Sequence, residues 1–253
     1  MAFGDAKAAT AAASAGAVVP GFVAALVAAV HVVGHSMRWL DTVSRYWVLS
    51  LSGGVSVAYV FTHVLPELHG AGERLGARTL PGYGADTVYL VVLAGFVTLY
   101  GVERIVRRAE RRGEDDDGLS SGVFWVHVGS FGAYNALVGY LLFHPEAPGI
   151  GEMTGFAIAL LAHSLVVDYG LRTRHDDTYR RSGRWVLVAS VLTGALLGAG
   201  SDLGEGTLGL LFAFLAGTIV LNVVKEELPE RRESRFPAFA AGIAGYAALL
   251  AAL

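Results

Sequence analysis

Apolar residues in this chain fall into long blocks, and the length of the blocks decides what it can fold into. Each runs for roughly 17–25 residues, the length of helix needed to cross a hydrocarbon core about 30 Å thick. Eight blocks are read, at 17–36, 45–66, 85–106, 121–143, 152–171, 184–200, 206–224 and 236–253. Of 253 residues, 54% are hydrophobic and 16% charged, where a soluble domain carries about 25% charged residues. Gly and Ala recur inside the blocks, which suits helices that approach closely in lipid. These features predict an all-α, polytopic membrane bundle of eight spans, a single transmembrane domain over 1–253. The chain has no cysteine, so disulfides and thiolate metal sites are excluded. The N-terminal MAFGDAKAATAAASAGA lacks the basic stretch of a signal peptide, and the first block is expected to remain as a span.

A second feature is internal. GVSVAYVFTHVLPE at 54–67 recurs in outline as GTIVLNVVKEELPE at 217–230. Aligned without gaps, Gly54 coincides with Gly217, Val57 with Val220, Val60 with Val223, Leu65 with Leu228, Pro66 with Pro229 and Glu67 with Glu230. Charge gives the two copies a direction. The segments after spans 1, 3, 5 and 7 hold 16 of the 19 basic residues, leaving only Lys7, Arg74 and Arg78 on the opposite set. The positive-inside rule puts those four segments in the cytoplasm and both termini outside, in a cell membrane. Span 2 then runs outward and span 7 inward. The expected architecture is an inverted repeat, helices 1–3 against helices 6–8 around helices 4 and 5, which is how many transporters build a substrate site near the midplane. A flexible cytoplasmic loop is expected at 107–121, where a basic run meets Asp115, Asp116 and Asp117 and then Gly and Ser. An acidic run of that kind attracts cations but has no geometry to hold one.

Ionisable residues at membrane depth are costly, and each is a functional candidate. His31 and His35 lie four apart on span 1; His63 and Glu67 repeat the spacing on span 2, where Pro66 is expected to loosen the last turn. Span 4 carries His127, Tyr134 and Asn135, span 5 carries His163 and Asp168, and span 7 carries Asn222 followed by Lys225, Glu226 and Glu227. The plainer alternative for a lone His such as His31, His35 or His127 is a hydrogen bond to a neighbouring helix. Lys225, Glu226 and Glu227 are expected at the headgroups.

SGGVSVAYVFTHVLPELHG at 52–70 resembles the second transmembrane helix of the ZIP (Zrt/Irt-like) divalent-metal transporters, and FLAGTIVLNVVKEELPE at 214–230 resembles their seventh. That resemblance implies eight spans, outside termini and a binuclear site between helices 4 and 5 through which zinc, iron or similar ions pass. The counterpart of the family's helix-4 motif, His-Asn-x-Pro-(Glu/Asp)-Gly, is Tyr134-Asn135-Ala136-Leu137-Val138-Gly139. The counterpart of its helix-5 motif, His-Glu-x-Pro-(Glu/His), is His163-Ser164-Leu165-Val166-Val167-Asp168. Asn135 and His163 match, and Asp168 lies one place beyond the second ligand position. Tyr134, Val138, Ser164 and Val167 stand where ligands belong, and both prolines are absent. The implied metal-handling residues are His163, Asn135 and Asp168, with help from His63, Glu67 and His127. Zinc wants about four N, O or S ligands, so the site as written is expected to hold zinc weakly.

Three readings follow. One is a divalent-metal transporter, in which His63 and Glu67 collect the ion, His163 and Asn135 hold it, and Asp168 or Glu226 receives it inside. Another is a ZIP-like protein that moves no metal and has a regulatory or assembly role. The third is a haem-binding electron-transfer bundle, which needs a His pair at matching depth on two helices, from among His31, His35, His127 and His163. Enzyme chemistry is not expected, since neither G-x-S-x-G nor H-E-x-x-H occurs. No resident cofactor and no nucleic-acid partner are expected. A divalent ion is the expected substrate and the bilayer the expected surroundings, and the Gly- and Ala-rich helices allow a homodimer.

Overall fold

The computed structural model describes residues 2–34, 44–78, 84–112, 117–144, 150–224 and 235–252. Over these residues the chain is helical and contains no strand. Nine helices follow in order: α1 (Ala2–Gly34), α2 (Ser44–Tyr59), α3 (Leu65–Arg78), α4 (Gly84–Arg112), α5 (Asp117–Leu141), α6 (Ile150–Thr178), α7 (Arg184–Gly200), α8 (Glu205–Asn222) and α9 (Phe236–Ala252). A π-helical turn at Val60–Val64 joins α2 to α3, and another at Tyr179–Gly183 joins α6 to α7.

Six stretches among the described residues are long and apolar enough to cross a membrane: Gly16–Gly34, Tyr46–Gly72, Asp86–Ala109, Met153–His175, Tyr179–Gly200 and Glu205–Asn222. Such helices fit a membrane protein. The remaining two expected spans are also helices, but of a different kind. α9 is apolar and only 17 residues long. In α5 the apolar run is interrupted by His127, Ser130, Tyr134 and Asn135. Boundaries shift as well. α1 begins at Ala2, and the second span continues past Pro66 to Arg78. The loop expected at 107–121 is corrected: α4 runs through Arg112 and α5 opens at Asp117, leaving only 113–116 outside the described residues. Arg107 sits 3.6 Å from Glu103 one turn earlier, an i,i+4 pairing that supports the helical continuation.

The first π turn has a cause in the sequence. Pro66 has no N–H to give the carbonyl of Thr62, and its ring crowds that carbonyl, so the regular ladder is interrupted in the preceding turn. The aligned position in the other copy behaves alike. α8 ends at Asn222 and turns π-helical from Val223, the partner of Val60 in the repeat.

In lipid, apolar contact between helices gains little from excluding water, so close packing carries the association. Glycines make that packing here. A Cβ on Gly54 would collide with the carbonyl of Phe239 on α9, and one on Gly242 with the carbonyl of Leu51 on α2. On α4 and α8, a Cβ on Gly217 would strike the carbonyl of Val92, and one on Gly95 that of Phe214. α5 and α7 use the same device, with Gly139 on the carbonyl of Val191, Gly194 on that of Ala136 and Gly198 on that of Tyr140. These are the three most extensively packed helix pairs among the described residues. The glycines at these three contacts are therefore spent inside the protomer. α1 packs against both α6 and α7: Val27, Leu160 and Val191 share one buried cluster, and Val167, Leu171, Tyr179 and Leu187 share the next.

Candidate functional site

Twelve polar side chains are buried among the described residues: His31, Ser50, Ser52, Ser56, Glu103, His127, Asn135, His163, Ser164, Asp168, Thr218 and Asn222. Five of them fall into two clusters.

The first cluster centres on His31, near the C-terminal end of α1. Its Nδ1 lies 2.9 Å from Asp168 Oδ1 on α6 and its Nε2 lies 3.0 Å from Asn135 Oδ1 on α5. The orientation of the Asn135 amide is set independently, because its Nδ2 donates to the carbonyl of Phe131 at 2.9 Å. Asn135 Oδ1 must therefore accept, and His31 Nε2 must carry a proton. The Nδ1 contact then leaves two arrangements: imidazolium facing carboxylate, or neutral ring facing carboxylic acid. Both place one proton between His31 and Asp168. The Tyr179 hydroxyl, in the turn after α6, donates to the same Asp168 oxygen. Gly34 makes room for the other, since a Cβ there would sit 2.7 Å from Asp168 Oδ2. The cluster ties α1, α5, α6 and the π turn together.

The second cluster surrounds Glu103 on α4. His127 Nε2 of α5 is 3.2 Å from Glu103 Oε1, and Arg107 and Arg174 approach the other oxygen at 3.6 and 3.7 Å. His127 Nδ1 lies 3.0 Å from His175 Nε2 on α6. A neutral His127 donates from Nε2 to the carboxylate and accepts at Nδ1 from His175. Phe131 packs on the His127 ring and Phe124 on that of His175. Sequence reading missed both Glu103 and His175. Glu103 did carry a signal, a carboxylate inside the apolar block 85–106 with Arg107 one turn on.

The remaining predicted residues are placed as follows. His163, on α6, packs against the Tyr134 ring of α5 with centroids 5.6 Å apart. The two motif counterparts thus face one another through these rings. Asn135 and Asp168 are brought together through His31, and His127 belongs to the Glu103 cluster. His63 and Glu67 stand 3.7 Å apart at the other end of the bundle. Asn222 is buried, and neither of its amide atoms has a hydrogen-bond partner among the described residues. His35, Lys225, Glu226, Glu227 and the second Leu-Pro-Glu at 228–230 lie outside the described residues. Among the described residues no three His, Asp or Glu side chains are arranged to hold a metal ion.

His63 and Glu67 open onto a cavity of about 510 Å³. Tyr59, Phe156, Leu208, Phe212 and other apolar side chains form its walls, with Asp202 and Glu205 on its lining too. Asp202 accepts the Gly204 N–H at 2.8 Å in the turn that starts α8. Gly204 has φ +75° there, a conformation that glycine takes freely. Glu67 lies in the C-terminal half of the second span and Glu205 at the start of α8, yet both line this cavity. The second span and α8 therefore run in opposite directions.

No protein-family model matches the chain, and no curated protein does.

Proposed function

We propose that this chain is an integral membrane transporter of divalent metal cations, zinc-like in charge and ligand preference and similar to the ZIP family in plan. The observation that carries the reading is the equivalence of two helix pairs. Gly54 and Gly217 are the aligned glycines of the sequence repeat, and each packs on a carbonyl of a partner helix. The return contacts match too: Gly242 meets Leu51 and Gly95 meets Phe214, and Leu51 and Phe214 each stand three residues before their aligned glycine. A π-helical turn follows at the same aligned position in both copies. Together with the opposite directions of the second span and α8, this supports an eight-span inverted repeat. Such a repeat can exchange outward- and inward-facing arrangements by rocking one half on the other.

In this reading the basic segments lie in the cytoplasm and both termini outside. The cavity beside His63 and Glu67 is the outer mouth. His163 receives the ion between α5 and α6, and Asn135 and Asp168 complete its oxygen ligands. Both are now bonded to His31, so the site assembles only when α1 shifts and His31 yields them. Water can supply the remaining ligands, since a permeating ion must also leave.

A second reading is a ZIP-like membrane protein that moves no metal and serves in regulation or assembly. The lack of a three-ligand cluster among the described residues favours it. The haem reading has no such support. His127 and His175 touch each other directly, leaving no plane between them, and both nitrogens of His31 are engaged.

The test is uptake of zinc, manganese and iron(II) into proteoliposomes holding the purified protein, followed by an enclosed metal-sensitive dye. Saturable uptake above protein-free vesicles is expected for at least one of the three. Vesicle-level rates for all three would end the transport reading and leave the second.

A further inference from the structure

The cavity at the His63 end is built for something larger than a metal ion. At about 510 Å³ it falls within the range of small-molecule sites, roughly 300–1,000 Å³. A hexahydrated ion, at about 30 Å³ per water, fills well under half of it. Its walls are also wrong for chelation. The described residues offer no three-ligand cluster, and most of the lining is aliphatic or aromatic.

Three features point to the chemistry of the occupant. Glu67, Asp202 and Glu205 line the cavity, and among the described residues no Lys or Arg lines it. Carboxylates above low-dielectric walls focus a negative potential into such a cleft. Tyr59, Phe156 and His63 form an aromatic wall, with Tyr59 stacked on the His63 ring at 5.2 Å and tilted against that of Phe156 at 5.6 Å. Aromatic faces attract cations that carry an apolar body. Tyr59 is itself buried and lines the cavity, and its hydroxyl has no hydrogen-bond partner among the described residues. That hydroxyl is left able to donate to or accept from an occupant.

We infer that this cavity is a binding site for an organic cation, an ammonium group attached to an apolar body about the size of one aromatic ring. The ammonium lies against the aromatic wall beside Glu67, and the apolar body rests on the aliphatic side. The inference needs neither transport nor a bound metal. It therefore stands apart from the reading above.

The experiment uses the full chain in detergent, titrated calorimetrically with benzyltrimethylammonium and, in parallel, with uncharged benzyl alcohol. Saturable binding of the ammonium with Kd below about 1 mM is expected, with benzyl alcohol at least about tenfold weaker. Glu67→Gln is expected to weaken ammonium binding by about tenfold or more, and Glu205→Gln to weaken it less. Glu205→Gln changes an exposed position, so it decides the matter should Glu67→Gln not fold. The proposal is overturned if the ammonium does not saturate, if benzyl alcohol binds equally well, or if the folded variants bind as the parent does. Because no flux is measured, absence of zinc uptake leaves this result intact, and absence of ammonium binding leaves the transport reading intact.

Discussion

His31, Asp168 and Asn135 form a unit in which each group fixes the protonation or orientation of the next. Removing one partner of a buried pair leaves the other uncompensated, at a cost of about 3–5 kcal/mol, whereas replacing both by apolar residues is often close to neutral. Asp168→Asn is therefore expected to lower unfolding stability in detergent by a few kcal/mol. The double variant His31→Leu with Asp168→Leu is expected to recover most of that loss. An Asp168→Asn protein as stable as the parent would remove the pair from the account. Glycine supplies a second residue-scale prediction. Gly217→Ala forces a Cβ onto the Val92 carbonyl and is expected to cost about 1–3 kcal/mol. Gly101→Ala meets nothing within 4 Å and is expected to stabilise by up to about 1 kcal/mol through helix propensity. Thermal unfolding of the pair checks the contrast. At this scale the sequence was informative about which residues matter and poor on their partners. His31, Asn135, His163 and Asp168 were visible as polar residues inside apolar blocks. Their pairing depends on helix rotation, which no local pattern records, so the capture of Asp168 by His31 and the roles of Glu103 and His175 emerged only from the packed bundle.

At the scale of elements, the break in the second span follows from one residue. Pro66 leaves the Thr62 carbonyl without its usual donor, and the chain answers with the π turn at Val60–Val64. That turn sets the facing of His63, inside it, and Glu67, just after it. Pro66→Ala restores the donor and is expected to raise stability by up to about 3 kcal/mol while reducing zinc uptake several-fold. Uptake unaffected by Pro66→Ala would mean the turn has no part in transport. The sequence located this break, because proline acts locally. It ended the second span at 66, however, where the helix runs on to Arg78. The loop read at 107–121 was overestimated for a similar reason. A run of charges looks solvated in sequence, yet Glu103 and Arg107 pair along a helix that continues to Arg112.

At the scale of the molecule, block length made the helical membrane character legible, and the Leu-Pro-Glu repeat hinted at two oppositely directed halves. What it could not convey was that the repeated glycines pack on equivalent carbonyls, a relation between helices distant in sequence. Orientation is open to a direct check because the chain has no native cysteine. Cysteine at Asp202 is expected to react with an impermeant maleimide on intact cells, and cysteine at Asp177 only after permeabilisation. The reverse pattern would invert the sidedness derived from the Arg-rich segments. The central claim is that a divalent ion passes His163 between α5 and α6. The measurement that tests it most directly is the initial rate of zinc uptake by His163→Ala proteoliposomes, set against the parent at equal protein load. A rate reduced by about tenfold or more is predicted, with the variant still folded by thermal unfolding. A parent rate well above that of empty vesicles, and unchanged in His163→Ala, would contradict the route.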